Sequence, residues 1–262
     1  MKGVPDILYK FFSPSAACHT ISKGQIRFSR ADRLNDPFEF LPRYDALTND
    51  IDPNEESDWA KLLSPGELAE IQQSPEYKKG LEVTILEAER STALKNQKEF
   101  ANRFGFISFC ERISSPVMWG HYCKDHTGFT IGLNTNHKFF TDLNYLVGME
   151  YEKERPQFHN PSLPSAQETI RSERLLRVKN QEWSYEQEWR LYTNFDESGQ
   201  TGDHKFQPFP FDALAGIYFG FRSSDSLVHA VIRELSKQTT TTPACYRMRP
   251  HRTEFELEPN PI

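Results

Sequence analysis

The chain has 262 residues, and its 37 acidic and 31 basic side chains give a formal net charge of −6 at pH 7. This mild acidity excludes a global electrostatic footprint for nucleic acid, although it leaves a local basic patch open. No segment approaches the roughly 18 consecutive apolar residues of a membrane-spanning helix, and the N-terminus lacks the apolar stretch of a secretory signal. We therefore expect a cytoplasmic protein with no membrane partner, and its 20 Phe are enough to build a core.

The N-terminal residues predict a strand, a helix and a second strand. Residues 7–12 are β-branched and aromatic, which is typical of a strand. The pair Ser13-Pro14 then opens a helix that ends at Gly24. Residues 25–29 alternate between polar and apolar side chains, which predicts the second strand.

The middle of the chain predicts a helical insertion followed by strands. Residues 48–103 are rich in Glu, Lys, Gln and Ala, with apolar residues near helical spacing, so we expect two or three helices packed on a sheet. Strands are predicted at 106–110 and 129–133, with a short helix at 117–124 between them, and another strand at 147–151.

The C-terminal part predicts strands and one amphipathic helix. We expect a proline-bearing loop over 152–168, a helix over 169–177 and a capped amphipathic helix over 224–238. The predicted strands cover residues 189–193, 215–220 and 244–248. The tail after Arg252 is acidic and contains prolines, so we expect it to fray. This order of elements favours a single α+β domain over residues 1–262.

Several common functional motifs are absent from the sequence. There is no G-x-G-x-x-G, no P-loop, no H-E-x-x-H and no G-x-S-x-G. The 4 Cys are scattered without a C-x-x-C pair, so no metal site is predicted.

The densest polar cluster covers residues 179–192. If residues 185–192 are extended, Glu186, Glu188 and Arg190 share one face, and the two carboxylates lie about 7 Å apart at the backbone. Two carboxylates on one side repel each other unless a cation such as Arg190 or Lys179 offsets the repulsion or a ligand uses it. The alternative is a surface strand with a solvated Glu–Arg pair, which would contribute little.

A second cluster at residues 118–128 contains Trp119, His121, Tyr122 and His126. Such side chains can stack on a ring and hydrogen-bond a sugar or a phosphate. Alternatively, the aromatic residues pack inward and the histidines cap neighbouring loops. Metal binding by the two histidines is a weaker third reading, because no third ligand stands at a useful spacing.

A third cluster at residues 28–39 contains Arg30, Arg33 and Asn35. The two arginines could receive an anionic ligand. The alternative is an ordinary Asn-Asp-Pro turn that Phe38 anchors to the core.

These clusters, taken together and in this order, resemble a large bacterial and phage family that is catalogued as a domain of unknown function. The resemblance rests on N-D-P-F-E at 35–39, M-W-G-H-Y at 118–122 and W-x-Y-E-x-E-x-R at 183–190, after the strand at 8–11. It implies no activity.

A more distant resemblance is to the ADP-ribosyltransferase fold, in the strand, helix and strand of residues 8–28 and in the E-x-E of residues 186–188. This resemblance implies a mixed sheet with a helical insertion, and NAD as a cofactor that is consumed as substrate. It implies that Glu188 stabilises an oxocarbenium-like transition state and that Glu186 orients or activates the acceptor. Lys10 stands where that family has His or Arg, and Tyr122 is a candidate for stacking on nicotinamide.

The resemblance and the three clusters together assign the candidate site residues. The catalytic candidates are Glu188, Glu186, Tyr122 and His121. The candidates for cofactor binding are Lys10, Ser29, Asn35, Trp119, His126 and Arg190. The chain departs from the ADP-ribosyltransferase family in two respects. Lys10 lacks the planar side chain of the His or Arg that the family has at this position, and no Ser-Thr-Ser appears in a middle strand.

The function expected from this resemblance is NAD-dependent transfer of ADP-ribose to a protein or nucleic-acid acceptor, in a toxin or phage-defence setting. Two alternatives are a nucleotide or nucleic-acid binding module without catalysis, and a metal-independent nuclease that uses His121, His126 and the carboxylates. We expect the polar candidates on the strands and on the short helix to line one cleft. We also expect Glu188→Gln to abolish activity and to leave the fold intact.

Overall fold

The computed structural model describes residues 3–30, 34–44, 64–142, 145–158, 173–194, 204–240 and 243–262. The protein has α+β architecture, as the order of elements in the sequence predicts. Its contacts group the chain into two compact units. The first unit comprises Met1–Leu34, Ala101–Lys153 and Lys179–Ile262, and the second comprises Asn35–Phe100 and Glu154–Val178. The expectation of one domain across residues 1–262 stays a prediction.

The helices and strands are numbered in chain order. The helices are α1 (Pro14–Lys23), α2 (Pro65–Gln73), α3 (Pro75–Arg103), α4 (Pro116–Tyr122), α5 (Lys138–Thr141), α6 (residues 173–177) and α7 (Asp225–Gln238). The first seven strands are β1 (Ile7–Phe12), β2 (Gln25–Arg30), β3 (Arg43–Tyr44), β4 (Phe104–Cys110), β5 (Phe129–Asn134), β6 (Tyr145–Gly148) and β7 (Glu150–Glu152). The others are β8 (Gln157–Phe158), β9 (Val178–Asn180), β10 (Glu188–Asn194), β11 (His204–Pro208), β12 (Leu214–Phe219), β13 (Cys245–Pro250) and β14 (Leu257–Pro261).

The first unit is built on a large mixed sheet. Its main path runs in the order β11-β2-β4-β1-β5-β12-β13-β14, and β10 and β6 join it through β4. One pairing, between β12 and β13, is parallel, and the other recorded pairings in this sheet are antiparallel. Strand β4 is the branch point, because β10 pairs along one of its edges while β1 and β2 both pair with it on the other.

The main hydrophobic core of this unit contains sheet residues such as Leu8, Ile131 and Leu191, all fully buried. Val231 and Leu235 on α7 belong to the same core, because the apolar residues of this helix fall on one stripe. Helix α1 ends at Gly24, whose φ of 61° gives the left-handed cap that glycine adopts without steric cost. This core fixes the strands that carry the candidate site.

The second unit contains α2, α3 up to Phe100, and the short parallel pair of β3 and β8. Helix α2 begins with a capping box in which Ser64 and Glu67 satisfy each other's backbone amides. The predicted helical insertion at 48–103 is confirmed over residues 65–103, and the rest of it lies outside the described residues.

The prediction that the tail after Arg252 frays is wrong. Strand β14 pairs with β13, with Met248 opposite Pro259, and Leu257 is buried. A strand with two prolines is tolerated here because β14 ends the main path of the sheet, where a missing N–H costs no ladder bond. The sequence pattern missed this strand because prolines usually indicate a loop.

Candidate functional site

The two candidate carboxylates lie on either side of a local break in the backbone. A 3₁₀-helix ends at Glu186, Gln187 takes a left-handed conformation with φ 43°, and β10 begins at Glu188. The strand predicted at 189–193 is confirmed, but the condition that residues 185–192 are all extended holds only from Glu188 onward. Both carboxylates are nevertheless buried, with Glu186 3 % exposed and Glu188 4 % exposed, so the alternative of a solvated surface pair is wrong.

Glu188 is held by two cations and a hydroxyl. Arg190 donates from Nε to Oε1 at 2.8 Å and from Nη2 to Oε2 at 2.9 Å, which is a bidentate pair. Lys179 Nζ donates to Oε2 at 2.9 Å, and the Ser108 side chain adds a further hydrogen bond. Burial alone would raise the pKa of Glu188, but the charges of Arg190 and Lys179 outweigh it and hold this pKa well below its usual value. This carboxylate is ionised.

Glu186 shares Lys179 with Glu188 but has a different electrostatic environment. Lys179 Nζ donates to its Oε2, and the Tyr122 hydroxyl donates to its Oε1. Burial and the neighbouring charge of Glu188 together raise the pKa of Glu186, against the opposing effects of Lys179 and Tyr122. The pKa values of the two carboxyl groups therefore shift in opposite directions, although the residues are two positions apart and both bond the Lys179 ammonium group.

Tyr122 contacts the Glu186 carboxylate, and three further aromatic side chains lie next to Tyr122 or to one another. Tyr122 is half-buried, and burial followed by the charge of Glu186 raises the pKa of its hydroxyl. His121 is exposed, and its Nδ1 lies 3.1 Å from the Tyr185 hydroxyl. Trp183 lies 6.1 Å from Tyr185 between ring centroids. We call these four residues, His121, Tyr122, Trp183 and Tyr185, the aromatic rim.

Of the candidates on β1 and β2, Lys10 is affected by the charges of the carboxylates, and Ser29 is placed only by strand pairing. Lys10 is half-buried, and burial lowers the pKa of its ammonium group to about 8, although the charges of Glu188 and Glu186 partly offset this effect. Ser29 is half-buried and is paired with Phe106 of β4. Hydrogen bonds join four of the candidates, Tyr122, Glu186, Glu188 and Arg190, into one network through Lys179, and the cleft that all the candidates are expected to line stays a prediction.

Two residues of the second cluster have other neighbours. Trp119 is fully buried, its indole N–H donates to the Ile113 carbonyl at 2.7 Å, and its ring packs edge-on against Phe11. This tryptophan lies in the core, which is the packing alternative. His126 packs at 4.8 Å from the Phe221 ring, between centroids, on a turn with positive φ.

The third cluster crosses from the first unit to the second. Arg30 lies in β2, Arg33 lies outside the described residues, and Asn35 is exposed in the second unit. The expected anchor of this turn, Phe38, is 52 % exposed, whereas Phe40 is buried. The alternative of a turn anchored by Phe38 is therefore wrong, because the side chain that packs inward is two residues later.

Sequence reasoning missed Ser108 and Tyr151, and it named Lys179 only as a counter-charge. The Tyr151 hydroxyl accepts a hydrogen bond of 2.7 Å from the Glu188 backbone N–H. Ser108 reaches Glu188 because β4 pairs with β10, with Ser108 opposite Arg190. No sequence-local signal could have found these contacts, since they depend on strand register. For Lys179 the sequence does give a signal, because a cation shortly before two carboxylates can be their counter-charge.

The described ranges hold no group of three or more His, Cys, Asp or Glu side chains arranged to bind a metal. Within the same ranges, no helix is long and apolar enough to cross a membrane.

Comparison with known proteins adds one finding. Residues 118–191 match a family described as a protein of unknown function, DUF2971. The match begins at Met118 on α4 and ends at Leu191 on β10, so it contains the aromatic rim and both carboxylates. This confirms, for that stretch, the resemblance to a family of unknown function. Searches among curated proteins and among solved structures gave no match.

Proposed function

We propose that the first unit is an ADP-ribosyltransferase-like enzyme that cleaves NAD and transfers ADP-ribose to a macromolecular acceptor. The observation that carries this proposal is the pair of buried carboxylates around Lys179, one fixed by Arg190 and the other bonded to Tyr122. Two carboxylates with opposite environments are the usual arrangement for chemistry at a sugar C1 carbon.

Each carboxylate has a distinct role in the proposed reaction. When the bond between the ribose C1′ and the nicotinamide nitrogen breaks, its electron pair leaves with nicotinamide and positive charge develops on the ribose. Glu188 stabilises that charge, because it stays ionised and Arg190 fixes its orientation before the reaction begins. Glu186 takes the proton from the acceptor hydroxyl or from water as the new bond to C1′ forms, which suits a carboxyl group with a raised pKa.

The aromatic rim supports the recognition of a planar ring next to these carboxylates. Rings at this position offer stacking surfaces for nicotinamide. Because Glu186 is buried, the substrate reaches it only when Tyr122 or Tyr185, both half-buried, changes its rotamer. The proposed function therefore includes a local opening of the rim.

The test is nicotinamide release from NAD by the full chain and by matched variants. We expect release by the wild type and a loss of about 10²-fold or more in Glu186→Gln. Glu182→Gln is the matched control, because Glu182 is exposed on the same 3₁₀-helix, and it should keep full activity. Circular dichroism verifies that each variant is folded. No release by the wild type, or unchanged release by folded Glu186→Gln, contradicts the proposal.

A second candidate function is nucleotide binding without catalysis. The salt bridges from Lys179 to both carboxylates favour this candidate, because they partly neutralise the negative charge that catalysis would use. Calorimetric titration distinguishes the two, because a binding module gives heat with NAD but releases no nicotinamide. The nuclease alternative would need His121 and His126 at one site, and their different neighbours lead us not to propose it.

A further inference from the structure

The turn that follows helix α4 has an unfavourable backbone conformation. Lys124, Asp125 and His126 have φ values of 47°, 54° and 65°. Three consecutive left-handed residues without a glycine are strained, because in this conformation each Cβ atom approaches the following carbonyl oxygen. Such residues persist only where the surrounding structure holds them, and they are frequent at functional sites.

On its inner side, the turn closes the C-terminal end of α4. The backbone N–H of His126 donates to the Trp119 carbonyl at 3.2 Å, and the backbone N–H of Asp125 donates to the Gly120 carbonyl at 3.1 Å. Both acceptors belong to the last turn of the helix, where carbonyl groups lack partners within the helix itself. Because α4 ends at Tyr122, the turn fixes the end of the helix that carries this side chain.

On its outer side, the turn is bound by the loop between β12 and α7. Ser223, which is 3 % exposed, donates from its hydroxyl to the Thr127 carbonyl at 3.1 Å and to the Gly128 carbonyl at 2.6 Å. The backbone N–H of Arg222 donates to the His126 carbonyl at 3.2 Å. Consecutive carbonyl groups at the end of the turn are therefore all held by this loop.

The loop is itself held by β13. Arg247 donates from Nη1 to the Ser223 carbonyl at 3.1 Å and from Nη2 to the Asp225 carboxylate at 2.6 Å. Gly220, at the start of the loop, lies so close to the turn that a Cβ atom there would be 2.0 Å from the His126 carbonyl oxygen. Described contacts thus run without interruption from β13 through Ser223 to the end of α4.

We propose that Ser223 is a positioning residue that holds Tyr122 against the Glu186 carboxylate. Tyr122 is the last residue of α4 and donates its hydroxyl proton to Glu186 Oε1, so a shift of the turn moves this donor away from its acceptor. The Ser223 hydroxyl serves two adjacent carbonyls in a buried position, where water cannot take its place. This inference goes beyond the proposed function, since it holds for any reaction at Glu186.

The test is nitration of the folded full chain by tetranitromethane, with the modified tyrosines identified by mass spectrometry. Nitration needs the phenolate, and burial and the charge of Glu186 raise the pKa of Tyr122, so this residue should be protected in the wild type. Ser223→Ala should raise its nitration rate by about 10–100-fold, the usual effect of losing a hydrogen bond to a charged group. Tyr151 is the internal control, because it bonds the Glu188 N–H from β7 rather than from α4.

Matched variants separate positioning from a general loss of stability. Ser236→Ala also removes a hydroxyl that donates to a backbone carbonyl, but this serine is exposed on α7, so Tyr122 should stay protected. Arg247→Gln decides the question if Ser223→Ala does not fold, because Arg247 is only half-buried and acts on the Ser223 carbonyl. It should give a smaller rise, whereas Arg249→Gln, at an exposed arginine on the same strand, should give none.

The outcomes do not depend on whether the chain cleaves NAD. A rise in nitration confined to Tyr122 supports the positioning role even if no nicotinamide is released. Unchanged nitration of Tyr122 in a folded variant that is less stable to urea assigns Ser223 a structural role only and overturns the proposal. An equal rise at Tyr122 and Tyr151, or rapid nitration of Tyr122 in the wild type, also overturns it.

Discussion

Replacing Glu188 by Gln should destabilise the protein strongly, although the two side chains have nearly the same shape. The carboxylate accepts hydrogen bonds from Arg190 at 2.8 and 2.9 Å and from Lys179 at 2.9 Å. Gln turns one of these oxygens into an amide N–H₂ group that faces a cation. Arg190 is 1 % exposed, so water cannot replace the lost partner. The substitution removes the negative charge that lies between two buried cations, and breaking a buried ion pair by changing one partner costs about 3–5 kcal/mol.

Urea unfolding of the wild type, Glu188→Gln and the surface control Glu182→Gln measures this cost. The control should change the free energy of unfolding by less than about 0.5 kcal/mol. The double variant Glu188→Leu/Arg190→Met should recover part of the loss, because it removes both members of the pair. A change of less than about 1 kcal/mol in Glu188→Gln is what a solvated pair would give, and it would refute the buried network. The expectation from the sequence that Glu188→Gln leaves the fold intact is replaced by this prediction, because the carboxylate is buried.

Three further predictions concern backbone strain, close packing and pH. Lys124 has a φ of 47°, so Lys124→Gly should raise the free energy of unfolding by up to about 1 kcal/mol, whereas Lys124→Ala keeps the strain and should give no gain. A Cβ atom on Gly128 would lie 2.0 Å from the Phe12 carbonyl oxygen. Gly128→Ala should therefore lower the free energy of unfolding by about 3 kcal/mol or more, which thermal unfolding measures. The pKa of Lys10 is about 8 in the folded protein against 10.5 unfolded, so the unfolded state binds more protons between these values and stability should rise with pH across that interval. Lys10→Met should abolish this rise in pH-dependent urea unfolding.

The elements that the sequence predicted well are those whose pattern is local. Strand β1 and helix α1 have β-branched residues, a proline at the helix start and a glycine at its end, and each signal acts within a few residues. Strand β14 has no such pattern. It is a strand because β13 offers it an edge to pair with, and that partner cannot be read from residues 257–261 alone.

The candidate site shows the same division between local and long-range information. The spacing of Glu186 and Glu188 marked them as a pair, and Arg190 as their counter-charge, from a stretch of five residues. The alternation rule then failed at Gln187, because it assumes extended backbone and this residue is left-handed. Burial of the pair was also missed, since three charged residues in a short stretch usually indicate a solvated surface.

The pKa values of the two carboxyl groups shift in opposite directions because Glu188 has a bidentate arginine partner, whereas burial and the neighbouring charge of Glu188 dominate at Glu186. Glu188 is ionised because Arg190, two residues away, and Lys179, nine residues away, supply positive charge. Glu186 is bonded to the Tyr122 hydroxyl, 64 residues away, and it has no arginine of its own in the described contacts. Each glutamate alone could be an ordinary ion pair, and the charge pattern of residues 186–190 does not distinguish the two; only the resemblance to the ADP-ribosyltransferase fold gave them different roles. Tertiary packing produces the difference in pKa, because it buries Glu186 beside the charge of Glu188 and so raises the pKa of Glu186. The division of roles that we propose for the two carboxylates rests on that difference.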